Sequence, residues 1–334
     1  MDSLSPSTEF GLLGDLGGTN ARFALVELAQ GAPLVHPRNL RAADHDSAEA
    51  AALAYLSEVG RPARLTQAMI ACAGPVEAGQ APLTNLNWTV SSSGLETRLG
   101  LQRARLINDL EAVAWSTPVL GPRDVHVLGG IRTGALGGAL AVVGAGTGFN
   151  ASACLRGPGG DQVMVGEAGH ASLAAIDELE MEVVRRLAVR FGRVSIERAV
   201  SGPGILNLYQ ALCDIRRTPV VCEVNEEVTR LARDGDPCAR DAIEMFCGLL
   251  GGVAGDLALT YGARGGVFIA GGIAPTMLEE LGASAFRRRF EAKGRFRPFL
   301  ETIPTRVITH PHAALLGAAR ALEQDHIGLD RPPR

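Results

Sequence analysis

Two glycine-rich turns, each set between short apolar runs, constrain the fold of this chain more than any other feature. The first follows Leu12 and Leu13 and reads Gly14-Asp15-Leu16-Gly17-Gly18-Thr19. The second follows the apolar run 141–143 and reads Gly144-Ala145-Gly146-Thr147-Gly148. Apolar runs on both sides of a tight turn predict a β-hairpin, whereas a dinucleotide-binding fingerprint needs a strand followed by a helix. Each turn is therefore predicted to close a hairpin.

Turns of this composition can bind phosphate. Glycine allows a ligand to approach the backbone closely, and a tight turn with several N–H groups and a hydroxyl can surround phosphate oxygens. Two ordinary hairpin turns are the alternative, and that alternative explains either turn taken alone equally well. Because the two turns are alike and the first carries an acid, Asp15, before its Gly-Gly-Thr, we predict a nucleotide-binding clamp built from two similar halves.

Composition and charge exclude several classes of protein. The net charge is −4 and aromatic residues make up 4% of the chain, which argues against a nucleic-acid partner. No stretch approaches the roughly 20 apolar residues of a membrane span, and residues 1–9 lack the basic start and apolar core of a signal peptide. We therefore expect a cytoplasmic protein without a membrane partner. The six cysteines form no CxxC pair and are predicted to be free, buried thiols.

Predicted strands alternate with predicted helices along the whole chain, which indicates an α/β fold with mixed sheets. The pair Gly121-Pro122 marks a domain boundary. We predict a small α/β domain over residues 1–119, completed by about 311–334, and a large α/β domain over 120–310. Helical periodicity is longest over 238–261, where Gly251, Gly252 and Gly255 favour close helix packing in a core.

The pair Asn108-Asp109 follows the predicted strand 103–107. Ligands of open α/β sheets bind at the carboxyl ends of the strands, and an aspartate there can accept a proton from a substrate hydroxyl. The alternative is a cap for a helix that begins at Leu110, and the pattern alone favours the cap. Both roles are compatible, with Asn108 capping the helix and Asp109 facing a ligand.

Three further side chains are candidates for binding a sugar. Glu167 and His170 lie three residues apart in a glycine-containing loop, and together they supply acceptors and a donor for adjacent hydroxyls. A pair of surface loop residues is the alternative. Glu197 precedes Ser201-Gly202-Pro203-Gly204, and taken alone it is better explained as a solvated acid at the start of a helix.

These residues gain meaning from their order along the chain. The chain resembles the bacterial glucokinases from about residue 10 to 322, and the resemblance rests on segments 14–22, 107–109, 146–148, 166–170, 197–204 and 267–273. The resemblance implies two ribonuclease-H-like domains of the superfamily of sugar kinases, heat-shock chaperones and actin, with the active site in the cleft between the domains. It also implies ATP and Mg²⁺ as cofactors, D-glucose as substrate, and a homodimer.

The resemblance further implies roles for individual residues. Asp109 would be the catalytic base for the 6-hydroxyl of glucose. The glucose-binding residues would be Asn108, Asp109, Glu167, His170 and Glu197. The nucleotide would bind between the turn Gly14 to Thr19, the turn Gly146-Thr147-Gly148, and the pair Gly271-Gly272. Asp15 would lie near Mg²⁺, through a water molecule.

One position departs from the family pattern, which has glycine where this chain has Asn150. Asparagine tolerates a left-handed backbone better than most residues, so we expect the turn to keep its conformation. The substitution can still alter the preference for a nucleotide. Two other functions stay open at this point: a non-catalytic sugar sensor with the same fold, and a kinase for another hexose or another phosphoryl donor.

Overall fold

The computed structural model describes residues 8–83, 86–129, 131 and 133–329, so most of the polar N-terminal segment lies outside the described residues. The backbone contacts divide the chain into two compact units. One contains Met1–Val119, Pro158–Val163 and Pro311–Arg334, and the other contains Leu120–Gly157 and Met164–His310. The sequence pattern gives no sign that Pro158–Val163 belongs to the first unit, where Asp161 forms a salt bridge of 2.8 Å with Arg320. The predicted folding domains, 1–119 with 311–334 and 120–310, stay a prediction.

The first unit contains the strands β1 (Phe10–Leu16), β2 (Asn20–Glu27), β3 (Val35–Arg41), β4 (Leu65–Cys72), β5 (Gln80–Leu83), β6 (Trp88–Ser91) and β7 (Arg103–Asn108). Its helices are α1 (Ala48–Val59), α2 (Ser92–Leu99), α3 (Asp109–Ser116) and, late in the chain, α11 (Ala313–Leu329). The five-stranded sheet has the order β3-β2-β1-β4-β7, in which β1, β4 and β7 are parallel and β2 is antiparallel to β1.

Helices cover both faces of this sheet, because its central strands are apolar on both sides. Successive residues of a strand point to opposite faces. On β1, Leu12 packs in a cluster with Phe23 and with Tyr55 of α1. Its neighbour Leu13 packs in a second cluster, which contains Leu315 of α11. The unit therefore has two hydrophobic layers with the sheet between them.

The second sheet has six strands in the order β11-β10-β9-β12-β13-β8. These strands are β8 (Val125–Val127), β9 (Leu140–Ala145), β10 (Phe149–Leu155), β11 (Gln162–Val165), β12 (Gly266–Ala270) and β13 (Thr305–Ile308). The helices of the second unit are α4 (Glu178–Phe191), α5 (Gly202–Arg216), α6 (Asn225–Arg233), α7 (Pro237–Tyr261), α8 (Leu278–Ala283), α9 (Phe286–Glu291) and α10 (Arg297–Glu301).

Five strands of each sheet share one order. In each sheet the first strand of a hairpin has the second and third strands on one side and two later strands on the other, and the second sheet adds β8, an earlier strand antiparallel to β13, at its edge. The β9–β10 pair is antiparallel and the β9–β12 and β12–β13 pairs are parallel, as in the first sheet. The fold is α/β with mixed sheets flanked by helices, as the sequence predicts, and its two hairpins occupy corresponding positions.

Helix α7 corrects the expectation that no segment is long and apolar enough to cross a membrane. Among the described residues it is the one helix that meets this criterion by length and composition, with a mean hydropathy of 1.5. However, 67% of its apolar window is buried inside the protein, and its side chains form much of the core of the second unit. The prediction of a core helix over 238–261 is therefore confirmed.

Local signals were read correctly at some positions and missed at others. The pair Asp46-Ser47 before an alanine-rich helical stretch predicts Asp46 as the N-cap of α1, but the cap is Ser47, whose hydroxyl accepts the Ala50 N–H at 3.1 Å. All six cysteines are free and buried, as predicted. Gly251 and Gly255 of α7 lie against α9, where an added Cβ would come within 2.1 Å of the Phe286 carbonyl oxygen and 2.4 Å of the Phe290 carbonyl oxygen, respectively.

Two adjacent glycines of α7 provide a test of this packing. Gly251→Ala should destabilise the protein by about 1–3 kcal/mol, because its methyl group overlaps the Phe286 carbonyl. Gly252→Ala is the matched control, since its methyl group meets only the Arg289 side chain at 3.7 Å and helix propensity favours alanine by up to about 1 kcal/mol. Thermal unfolding followed by circular dichroism should show a lower midpoint for Gly251→Ala only. Equal midpoints for the two variants would contradict the close approach of α7 and α9.

Candidate functional site

In the first unit, strand register brings the predicted residues to one edge of the sheet. Leu16 at the end of β1 pairs with Cys72 at the end of β4, and Cys72 pairs with Asn108 at the end of β7. Because these three strands are parallel, the first glycine turn and the pair Asn108-Asp109 lie at the same carboxyl edge. This edge is where ligands of open α/β sheets bind.

The first turn closes the β1–β2 hairpin, as predicted. The Gly17 N–H donates to the Asn20 carbonyl at 3.0 Å. Gly17 does not adopt a left-handed backbone, and the nearest atom to an added Cβ is the Asn20 oxygen at 3.8 Å. The space beside Gly17 is therefore open, and a side chain there would fill room that a ligand could otherwise occupy.

The carboxylate of Asp15 is held by its partner on the neighbouring strand. Asp15 and Arg22 face each other in the β1–β2 register, and the Arg22 Nη1 donates to Asp15 Oδ2 at 2.9 Å. The Asp15 side chain is 14% exposed. Nowhere in the described part of the chain do three or more His, Cys, Asp or Glu side chains form a group able to hold a metal ion. A cation at Asp15 would therefore need most of its ligands from water or from a bound phosphate.

Asn108 and Asp109 have distinct structural positions. Asn108 is the N-cap of α3: its Oδ1 accepts the Leu110 N–H at 3.0 Å and the Glu111 N–H at 3.4 Å, and its Nδ2 donates to the Gly74 carbonyl at 3.1 Å. The capping role of Asn108 is thus confirmed. Asp109 is the first residue of α3, is half-buried, and accepts the Leu110 N–H through its own Oδ1 at 2.8 Å.

The pKa of the Cys72 thiol depends on its burial and on the charges around it. Burial and, to a smaller extent, the negative charges of Asp109 and Asp15 together raise the pKa of Cys72 to about 12. The same strand end therefore lies in the field of both carboxylates, one from β1 and one from α3. A cation or a proton-donating hydroxyl is the natural partner for such an edge.

The second glycine turn closes the β9–β10 hairpin, and it lies beside the turn after β12. Gly144 of β9 pairs with Ala270 of β12, so the parallel strands end together. The next residue, Gly271, has a φ of +96°, and an added Cβ would come within 2.1 Å of the Ala145 carbonyl oxygen. By contrast, a Cβ on Gly146 or Gly272 would have no atom within 4 Å.

The second turn is also held by the start of α5. The Gly146 N–H donates to the Gly148 carbonyl at 2.9 Å, and the Gly146 carbonyl accepts the Gly202 N–H at 2.8 Å. No side-chain pattern in the sequence predicts the link from Gly202, because its hydrogen bond joins two backbone groups. The outcome is a fixed turn whose Gly146 face stays open to a ligand.

Glu167 and His170 are presented on a short, tightly packed segment. Ala168–His170 forms a single 3₁₀ turn, and an added Cβ on Gly169 would come within 2.0 Å of the Phe149 carbonyl oxygen. Arg193 Nη1 donates to the His170 carbonyl at 2.6 Å. The side chains of Glu167 and His170 are both exposed, which fits a pair of ligand-binding residues and a pair of surface loop residues equally well.

Glu197 is not the solvated acid that its local sequence favours. It is half-buried, and its Oε2 accepts the Phe149 N–H at 3.0 Å. An added Cβ on Gly148 would lie 2.6 Å from the same oxygen, and one on Gly169 would lie 3.6 Å from Glu197 Cβ. The Glu197 side chain therefore has its carboxylate beside the second glycine turn and its Cβ beside the segment that carries Glu167 and His170.

Asn150 differs from the expectation as well. It belongs to the extended strand β10 and does not adopt a left-handed backbone. Its Oδ1 accepts the Ala151 N–H at 2.8 Å and the Ala168 N–H at 3.0 Å. The Asn150 side chain thus contacts the backbone of Ala168, next to Glu167. The sequence pattern does not predict this contact, because Asn150 and Ala168 are 18 positions apart.

Comparisons with known proteins show the family of the chain. A model of the glucokinase family matches residues 12–325. A glucokinase of Caulobacter sp. strain K31 is 45% identical over 320 residues, which cover 96% of this chain and 97% of the relative. A glucokinase of Paramagnetospirillum magneticum is 41% identical over 310 residues, covering 92% and 96% of the two chains.

A solved structure shows the same fold at high similarity. The crystal structure of a glucokinase from an Antarctic psychrotroph superposes with a TM-score of 0.86 at 35% identity, and the match covers 94% of this chain and 98% of that one. The family match spans both glycine turns, the Asn108-Asp109 pair and the segment around Glu167 and His170. With relatives aligned over nearly their whole length, the chain belongs to the glucokinase family.

Proposed function

We propose that this protein transfers the γ-phosphoryl group of ATP to the 6-hydroxyl of D-glucose. The observation that carries this proposal is the position of Asp109, which lies at the same sheet edge as the first glycine turn and Asp15. Membership of the glucokinase family supports the reaction class, a hexose kinase. Phosphoryl transfer depends mainly on positioning and charge stabilisation, and fixed turns with a fixed carboxylate suit both needs.

In the proposed reaction Asp109 is the general base. Its carboxylate would take the proton of the 6-hydroxyl as that oxygen attacks the γ-phosphorus and the bond to ADP breaks. The Leu110 N–H, 2.8 Å from Asp109 Oδ1, fixes the carboxylate orientation. Asn108 caps the same helix. Its Oδ1 and one of its two Nδ2 hydrogens are already bonded, so at most one Nδ2 hydrogen can be donated to a sugar hydroxyl.

We propose that the other sugar hydroxyls bind Glu167, His170 and Glu197. The exposed side chains of Glu167 and His170 supply a carboxylate acceptor and an imidazole. Glu197 uses Oε2 for the Phe149 N–H, which leaves Oε1 for a hydroxyl. A preorganised set of charged acceptors discriminates among sugars by the positions of their hydroxyl groups.

We propose that the nucleotide phosphates bind at the two glycine turns, which include Gly14 to Thr19 and Gly146 to Gly148, and at Gly271-Gly272. The open space beside Gly17, Gly146 and Gly272 supports this assignment. Mg²⁺ commonly binds through one or two carboxylates, substrate phosphates and water, and the single, Arg22-paired Asp15 fits such a site through water. Mg²⁺ would neutralise phosphate charge when bound.

The variant Asp109→Asn tests the catalytic base. It should keep the fold and much of the glucose affinity, because the amide oxygen can still accept the Leu110 N–H, while kcat falls by about 10²–10⁴-fold. Turnover is measured by coupling ADP release to NADH oxidation, and glucose affinity by calorimetry. Asp46→Asn, at an exposed position, is the control. A kcat above roughly a tenth of the wild-type value would exclude Asp109 as the base.

The variant Gly146→Val tests the phosphate turn. An added Cβ meets no atom within 4 Å in the protein alone, so the fold should persist while the KM for ATP rises by about tenfold or more through blocked phosphate approach. Gly159→Val is the control, since an added Cβ there also meets no atom within 4 Å and lies outside the predicted site. Equal effects on ATP and on nucleotide-free glucose binding would argue against a phosphate role for this turn.

A sugar panel tests substrate choice. Glucose should exceed galactose and fructose in kcat/KM by as much as about 10⁴-fold, because a mismatched hydroxyl leaves polar groups that the bound sugar covers without a partner. Glu167→Gln should lower kcat/KM for glucose and leave the nucleotide affinity of the sugar-free protein unchanged, with Glu178→Gln on the exposed start of α4 as control. Comparable efficiency for all three sugars would reject the assignment and favour a broader hexose kinase. Binding of glucose without turnover would favour a sugar sensor.

A further inference from the structure

We propose that Asn150 is a positioning residue that holds the sugar-binding segment in place, so that the affinity for glucose depends on its side-chain amide. The sugar-binding segment is defined here as residues 166–170, which include Glu167 and His170. This inference rests on the proposed function of that segment. Asn150 touches neither nucleotide nor sugar in this scheme, and it acts through the backbone beside Glu167.

Two hydrogen bonds attach the sugar-binding segment to strand β10, one on each side of Glu167. The Gly166 N–H donates to the Ala151 carbonyl at 3.2 Å. The Ala168 N–H donates to Asn150 Oδ1 at 3.0 Å. The backbone of Glu167 is therefore fixed at both ends, although its side chain is exposed. Of these two attachments only the second depends on a side chain.

The side-chain amide of Asn150 is also held by a contact within its own strand. Asn150 pairs with Gly144 in the β9–β10 ladder, and its Oδ1 also accepts the Ala151 N–H at 2.8 Å. A single oxygen thus receives one N–H from its own strand and one from the sugar-binding segment. If this acceptor is removed, the half-buried Ala168 N–H loses its partner, which penalises the observed conformation of the segment.

The contacts separate this role from nucleotide binding. The second glycine turn is closed by the Gly146 N–H to Gly148 carbonyl bond and by the Gly202 N–H to Gly146 carbonyl bond. Neither bond uses the side chain of Asn150. Loss of the Asn150 side chain should therefore affect glucose binding and not nucleotide binding. The expected result is a raised KM for glucose with an unchanged KM for ATP.

The test compares Asn150→Ala, Asn150→Asp and, as a matched control at an exposed position of β3, Asn39→Ala. Asn150→Ala should raise the KM for glucose by about five- to tenfold, with kcat at saturating glucose and the KM for ATP changed by no more than about twofold. Asn150→Asp retains an oxygen in the same place and should restore most of the glucose affinity. Asn39→Ala should behave as wild type.

A second measurement reads the attachment without any turnover. Hydrogen–deuterium exchange of the peptide that contains Ala168 should be faster in Asn150→Ala than in wild type, and unchanged in Asn39→Ala. Unchanged exchange in Asn150→Ala, or equal rises of the KM values for ATP and glucose, would overturn the proposal. A wild-type protein that does not phosphorylate glucose would overturn the proposed function instead, and the exchange rates would still decide whether Asn150 holds the segment.

Discussion

The parallel pairing of strands within each sheet is the constraint on which the rest of this structure depends. Its hydrogen-bonded register ends β1, β4 and β7 at one edge, and it ends β9 and β12 together in the other sheet. Asp15 and Asp109, which are distant in sequence, therefore lie near the same strand end. There the charges of both carboxylates add to the effect of burial in raising the pKa of Cys72. Without this register, the glycine turns and the acids would be unrelated features of the chain.

Close backbone contact then fixes what the sheets bring together. Gly169 lies against the Phe149 carbonyl and Gly271 against the Ala145 carbonyl, at distances that leave no room for a Cβ. Gly146 and Gly272 lie in open space instead. Glycine thus serves two purposes here: at some positions it permits packing between backbone segments, and at others it leaves room for a ligand. Such packing orders the binding groups before a substrate arrives, which lowers the entropic cost of positioning it.

Glu197 and Asn150, whose environments the sequence misjudged, share one property, namely a hydrogen-bond partner far along the chain. Glu197 bonds the N–H of Phe149, 48 positions away, and Asn150 bonds the N–H of Ala168, 18 positions away. Local patterns assign each residue by its neighbours, so Glu197 resembled an acid at a helix start and Asn150 a turn residue. By contrast, Asn108 bonds N–H groups two and three positions ahead, and its capping role was read correctly.

The sequence by itself determined the α/β class, the two hairpins, the buried thiols, the core position of α7 and membership of one family. These features follow from periodicity, turn composition and ordered motifs, which are local or collinear. Only the tertiary structure decided that Glu197 lies against the second glycine turn and that Asn150 bonds the backbone beside Glu167. The physical reason is that burial and long-range hydrogen bonds depend on which segments the sheet brings into contact, and a linear pattern carries no measure of that distance.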